Sequence, residues 1–241
     1  MRTVGRFVAR VLAKVSKEVR PGITTLHLNQ IAEDEARCLN AVPAFKGYCG
    51  YPYSLCCSLN SGVVHGMPSA QKLVSGDILS IDFGLIYDGF YGDAALTLPV
   101  GFISDEAQRL IDVTRESLSR AIDVVRVGNR VSDISSAIQT YVEQNGFSVV
   151  RDFVGHGIGR ELHEDPQVPN FGRPGRGARL KPGMVLAIEP MVNQFSHSVR
   201  VLSDGWTAVT ADGGLSAHFE HTVAVTDNGP EILTLFEEYD S

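Results

Sequence analysis

The chain repeats itself about 106 residues apart, which restricts the folds open to it to those built from two matching halves. Val19-Arg20-Pro21-Gly22 matches Val125-Arg126-Val127-Gly128, and each copy follows one helical pattern and precedes another. Before the first copy Val4, Phe7, Val8, Val11, Leu12 and Val15 recur on one helical face, and before the second Leu110, Ile111, Leu118 and Ile122 do so. The glycine in each copy predicts the stop between consecutive helices. Farther on, residues 73–82 (LVSGDILSID) align with residues 180–189 (LKPGMVLAIE). Each segment predicts a glycine turn followed by a short strand that delivers an acid, Asp82 or Glu189, at its far end. The expected fold is α/β (α+β): two helix-helix-strand-strand halves related by a pseudo-twofold axis, with both acids facing a shared cleft.

A chain of 241 residues, 44% hydrophobic and 20% charged, buries a sizeable core as one domain spanning 1–241. No apolar run approaches the roughly 18 residues needed to cross a bilayer, and no short apolar run precedes a small-residue cleavage site. A cytoplasmic protein without membrane contact is expected. The formal net charge of -7 excludes the basic field that holds nucleic acid by counterion release, so no direct nucleic-acid partner is expected. Cys38, Cys49, Cys56 and Cys57 lack C-x-x-C spacing and read as reduced thiols. The first helix carries Arg2, Arg6, Arg10, Lys14 and Lys17, a pattern shared with transit peptides and membrane-surface helices. Its counterpart in the second copy is internal, so a core-packing helix with a solvated basic face is expected.

Strands over 78–83 and 90–98, joined by a turn centred on Tyr87, Asp88 and Gly89, predict a hairpin carrying Asp82 and Asp93. If the turn is symmetric about the Tyr87-Asp88 bond, the acids lie directly opposite, about 5 Å apart at Cβ, and require a proton or a cation. Two solvated or turn-capping aspartates are an equal reading of that pair alone. The segment 153–160 is glycine-dense around His156, as expected where backbone passes close to a ligand or metal, although a lone histidine is more often structural. Glu189 ends an apolar strand before Pro190, and Glu220 lies in the apolar stretch 217–225. Acids inside such strands are costly unless paired. Asp82, Asp93, His156, Glu189 and Glu220 together match the ligand preferences of two hard or borderline divalent cations, whose charge four carboxylates would balance.

With H-G at 65–66, D-G-F-x-G-D at 88–93, G-H-G-I-G-R at 155–160, I-E-P at 188–190 and S-A-x-x-E-H-T at 216–222, the chain resembles the type I methionine aminopeptidases over nearly its whole length. The resemblance implies the pseudo-symmetric pita-bread fold around a dinuclear metal cleft. It also implies removal of the initiator methionine from nascent polypeptides when the second residue is small. Separations of 11, 63, 33 and 31 residues between successive ligands leave no room for the helical subdomain that type II members insert.

Carried over by position, the resemblance makes Asp82 a ligand of one metal, Asp93 and Glu220 bridges, and His156 and Glu189 ligands of the other. A metal-bridging hydroxide is the implied nucleophile and Glu189 the proton shuttle. His65 is placed near the nitrogen after the scissile bond and His163 at the carbonyl oxygen. Tyr48, Tyr51, Cys56 and Trp206 match positions lining the methionine pocket. Phe45 and Leu162 stand there too, where cysteine and phenylalanine are common. His218 shares strand parity with Glu220 and is expected behind the ligands, with His221 pointing away. The donor set accepts Co, Mn, Fe, Zn or Ni. The implied partners are the N-terminal methionine of nascent peptides and, transiently, the ribosome, with the protein itself a monomer. The rivals are an X-Pro aminopeptidase or prolidase, which usually carries a separate N-terminal domain, and a non-catalytic pita-bread binding protein, which would have lost ligands.

Overall fold

The computed structural model describes residues 1–235. Among the described residues four α-helices, α1 (Arg2–Ser16), α2 (Thr25–Cys38), α3 (Asp105–Asp123) and α4 (Val131–Gln144), form two pairs at the expected spacing. The repeat extends to individual hydrogen bonds. Gly22 (φ 91°) donates its N–H to Leu73 O, and Gly128 (φ 96°) donates to Leu180 O. Gly76 donates to Val100 O and Gly183 to Val225 O, again from matching left-handed positions. Only a residue without Cβ enters that region freely, so Gly22 and Gly128 mark the turn between the two helices of each pair, and Gly76 and Gly183 the turn into the strand that follows.

In the first half the strand Ile78–Tyr87 pairs with Phe90–Pro99, Cys56–Leu59 and Val42–Pro43. In the second, Val185–Ile188 lies between His221–Thr226 and Gly155–Gly157, with Gly229–Ile232 and Glu164–Val168 outside them. Helix α1 buries Val4, Val8, Val11, Leu12 and Val15 against the sheet, while α3 buries Leu110, Ile111, Leu118 and Ile122. The basic face of α1 is not simply solvated. Arg10 and Lys14 reach Glu35 of α2, itself 3% exposed, at 2.7 and 2.5 Å, and hydrogen bonds from Lys14 and Arg10 hold its carboxyl below the usual range. These cations tie one helix to the next.

The hairpin differs from expectation in register. Asp88 (φ 51°) and Gly89 (φ 73°) are both left-handed and make a two-residue turn, with Tyr87 opposite Phe90. The centre of the turn therefore lies one residue beyond the Tyr87-Asp88 bond. Asp82 pairs with Ala95 and Asp93 with Gly84, so the two acids are diagonal neighbours on one face rather than directly opposite. The strand also continues past Asp82 to Tyr87, which puts this acid in mid-strand, whereas Glu189 does follow the end of its strand.

Beside the candidate ligands the halves are joined by an antiparallel bridge between Ala95 and Glu220. Ala95 N–H donates to Glu220 O at 3.3 Å and Glu220 N–H to Ala95 O at 2.8 Å. On one side the Thr222 hydroxyl accepts from Asp93 N–H and donates to Asp93 O. On the other the Thr97 hydroxyl accepts from His218 N–H and donates to His218 O. A hydroxyl, being donor and acceptor at once, completes the pairing wherever the two backbones stand one oxygen apart. Both threonines are fully buried. Thr222→Val keeps the shape but leaves two buried backbone groups of Asp93 without partners, so it should destabilise by roughly 2 kcal/mol or more. Denaturant unfolding measures this, and an unchanged midpoint with unchanged m would contradict it.

Candidate metal centre and substrate pocket

The expected site residues converge on a cavity of about 200 Å³ at this junction. All five candidate ligands line it, together with His65, His163, Phe45, Tyr48, Tyr51, Cys56, Leu162 and Trp206. Cys49 joins them, a residue that belongs to none of the motifs.

Donor atoms of Asp93, His156 and Glu220 all lie within 4.8 Å of one another. His156 Nε2 is 3.5 Å from Glu189 Oε1, and His218 Nε2 is 3.8 Å from Glu189 Oε2. The other nitrogen of His156, Nδ1, faces the Gly157 carbonyl oxygen at 2.9 Å. A carbonyl can only accept, so Nδ1 carries the hydrogen and Nε2 presents a lone pair to the acids, as a metal-ligating imidazole does. Buried oxygens of Asp82, Asp93 and Glu220 have no hydrogen-bond partner among the described residues. Buried acceptors are rarely left unsatisfied, and here several converge on one point.

Burial pushes the Asp82 carboxyl up to about 7. Asp93, Glu189 and Glu220 are pushed well up as well, by burial first and then by one another's charge. Burial also lowers His156 to about 4, keeping the ring neutral as ligation requires. An oxygen-rich set with one imidazole nitrogen and unsatisfied anionic oxygens fits divalent cations, which satisfy the orphaned oxygens and neutralise the acids together. Cys56 pairs with Asp82 across the sheet, and burial with that neighbour raises its thiol well above the usual range. It is a protonated lining group and not a nucleophile.

The glycines around His156 serve a different purpose from the one expected. A Cβ on Gly155 would lie 2.4 Å from Ala187 O, and one on Gly157 would lie 2.3 Å from Asp165 O. They let the His156 strand pass close to its neighbouring strands, which fixes the height of the imidazole over the acids. The H-G pair at 65–66 has a similar origin. His65 is left-handed (φ 58°), and a Cβ on Gly66 would meet Cys57 O at 2.2 Å. Gly66 O accepts from Cys57 N–H and from the Tyr51 hydroxyl. Burial lowers His65 to about 4.

One wall of the pocket is aromatic. Tyr51 stands edge-on to Trp206 with ring centroids 5.2 Å apart, and the Phe45 ring lies over Gly84, where a Cβ would come 2.8 Å from its edge. Phe45 thus depends on a glycine in the hairpin strand opposite Asp93. The loop bearing Phe45, Tyr48 and Tyr51 is anchored to α2. Asn29 Oδ1 accepts from Ser54 and Leu55 N–H, while Glu33 accepts from Ser54 Oγ and Lys46 Nζ. On sequence alone Asn29 and Glu33 are two polar residues one helical turn apart, with nothing to distinguish them. His218 lies behind Glu189, and His221 faces the Thr234 hydroxyl, away from the acids.

Candidate cation ligands drawn from both halves of a pseudo-symmetric α/β frame match the arrangement of a pita-bread metallopeptidase. The chain belongs to metallopeptidase family M24, whose sequence model matches residues 1–227. It is 58% identical over 237 residues to the methionine aminopeptidase of Clostridium perfringens, covering 98% of this chain and 95% of the relative. The crystal structure of methionine aminopeptidase from Thermotoga maritima matches it with a TM-score of 0.96 at 51% identity, covering 97% of this chain and 94% of that one. The prolidase of Pyrococcus horikoshii shares the fold, with a TM-score of 0.79 at 21% identity, but this chain spans only 61% of its length.

Proposed function

We infer that this chain is a methionine aminopeptidase that removes the N-terminal methionine of new polypeptides when the second residue is small. The observation that carries the reading is the convergence of Asp93, His156 and Glu220 on a cavity of only about 200 Å³ with an apolar wall. That volume is below the roughly 300 Å³ of ordinary ligand pockets, so it takes one side chain and not a length of polypeptide. Asp82 on one side and His156 and Glu189 on the other, with Asp93 and Glu220 between them, would hold two cations, drawn from Mn, Fe, Co, Zn or Ni. When bound, such ions supply an acidified water and Lewis acidity at the scissile carbonyl.

The chain's own groups do the rest. The methionine side chain enters between Phe45, Tyr51, Leu162 and Trp206, where thioether burial against aromatic rings is favourable and nondirectional. This places the first carbonyl over the acids. His163 donates a hydrogen bond to its oxygen as negative charge develops there. Glu189 accepts a proton and returns it to the departing nitrogen, with His65 beside that nitrogen. The protein acts as one catalytic domain and a monomer, in the cytoplasm and close to the ribosome where new N-termini emerge. No helix among the described residues is long and apolar enough to cross a membrane.

A bulky second residue would press on His65 and displace the carbonyl, where about 1 Å costs around 10²-fold. Met-Ala-Ser is therefore expected to be cleaved far better than Met-Lys-Ser. Leu-Ala-Ser should be poor without being excluded, since a missing methylene costs only about 1 to 3 kcal/mol. Equal kcat/KM for all three peptides would defeat the reading, and preferential cleavage of Ala-Pro would favour the X-Pro class. Phe45→Cys should change the Met-to-Leu ratio more than kcat for Met-Ala-Ser. An unchanged ratio would remove Phe45 from the specificity wall.

A further inference from the structure

Two histidines across the cleft from the pocket loop pack ring against ring, with His156 and His163 centroids 4.3 Å apart, yet their Nδ1 atoms meet different partners, one that can only accept and one that can also donate. His156 Nδ1 faces a carbonyl, and His163 Nδ1 faces the Tyr48 hydroxyl at 2.7 Å. Nε2 of His163 has no hydrogen-bond partner among the described residues. Tyr48 reaches that far because of local backbone. It begins a single 3-10 turn, Tyr48–Gly50, entered through left-handed Gly47 (φ 88°) and continued through Cys49 (φ 48°). Gly47 N–H closes the turn on Tyr51 O at 2.8 Å.

We propose that Tyr48 is a positioning residue for His163: its hydroxyl donates to Nδ1 and so holds the neutral ring in the tautomer with hydrogen on Nε2, the nitrogen offered to the scissile carbonyl. The inference rests on the reading of His163 as the donor to that oxygen. A neutral imidazole has one donor and one acceptor nitrogen, and the partner of one decides the role of the other. A carbonyl at Nδ1 turns His156 Nε2 into a lone pair suited to a cation. A hydroxyl that donates to Nδ1 leaves the hydrogen of His163 on Nε2, a donor suited to an oxyanion. Partial desolvation of Tyr48, which is 40% exposed, raises its phenol above the ordinary value, so the proton remains available to give.

The Tyr48 ring also lines the methionine slot. A methionine side chain lying on that ring excludes water from the Tyr48–His163 pair, and a hydrogen bond strengthens as the local dielectric falls. Filling the pocket thereby steadies the group that completes the oxyanion site.

The test is Tyr48→Phe, which keeps the ring and removes the hydroxyl, on protein loaded with diamagnetic Zn²⁺. Long-range ¹⁵N–¹H correlation spectra should show His163 with hydrogen on Nε2 in the wild type and a mixture of tautomers in the variant, the resonances being assigned by their loss in His163→Gln. In parallel, kcat for Met-Ala-Ser should fall about tenfold, the value of one hydrogen bond, with KM within about twofold. Adding Tyr48→Phe to His163→Ala should slow it no further. Hydrogen on Nδ1 in the wild type overturns the proposal before any variant is made. So does an unchanged tautomer or an unchanged kcat in Tyr48→Phe while His163→Ala is slow. Full activity of His163→Ala defeats the donor reading itself, and the proposal with it.

Discussion

Exhaustive chelation is expected to abolish hydrolysis of Met-Ala-Ser and lower Tm, with added Mn²⁺ or Co²⁺ restoring both. Four carboxylates, Asp93 and Glu220 buried and Asp82 and Glu189 half-buried, crowd one cavity, several with unsatisfied oxygens, and in the absence of cations they relieve the repulsion only by keeping protons. The pH dependence has a definite sign. Asp82 moves from an ordinary value of 3.8 up to about 7, so between those values the folded metal-free protein binds more protons than the unfolded chain. Its stability must then fall as pH rises through that window. Cations reverse the trend, because their affinity for carboxylates grows as protons leave. At free metal about 100-fold above Kd, each ion adds about 2.7 kcal/mol, a rise in Tm of roughly 5–10 °C. Metal stabilisation measured by calorimetry should be larger at pH 7 than at pH 5. Full activity in protein shown to be metal-free, or a metal-free Tm that climbs from pH 5 to 7, would contradict the assignment.

Replacing His163 and Asp93 in turn should separate two kinds of loss. His163→Ala is expected to reduce kcat by on the order of 10²-fold or more while metal content stays near wild type, as removal of an oxyanion donor does. Asp93→Ala should fail to retain metal at all, because Asp93 supplies one of the three donors that converge within 4.8 Å. Elemental analysis beside kinetics distinguishes them. Metal lost from His163→Ala and retained in Asp93→Ala would mean that the two roles are exchanged.

Much of this was readable along the chain because it is local. Gly22 and Gly128 mark helix stops wherever they occur, and an acid such as Glu189 after an apolar strand is conspicuous before any fold is known. The hairpin register was not readable, since it depends on Asp88 accepting left-handed backbone beside Gly89, and the same letters also permit a turn one residue earlier. Gly155 and Gly157 stand out along the chain, but what requires them does not: Ala187 and Asp165 arrive from other strands. Arg10 and Lys14 looked like a solvated face because Glu35 lies on a different helix. Thr97 and Thr222 left no trace in the pattern, as a buried threonine in a strand is ordinary until its hydroxyl is seen between two backbones.

That threonine pair has a further bearing on how a symmetric frame handles a substrate that has a direction. A peptide runs from amino to carboxyl end, and a site with true twofold symmetry would offer both ends the same environment. Here the frame is duplicated down to the hydroxyls of Thr97 and Thr222, but the residues they embrace are not. Where one half places Ala95 the other places Glu220, and where one places Asp93 the other places His218. The methyl group of Ala95 and the carboxylate of Glu220 make the two sides of the axis chemically unlike at the closest point of approach. These two differences inside a duplicated scaffold help to give the cleft a head and a tail.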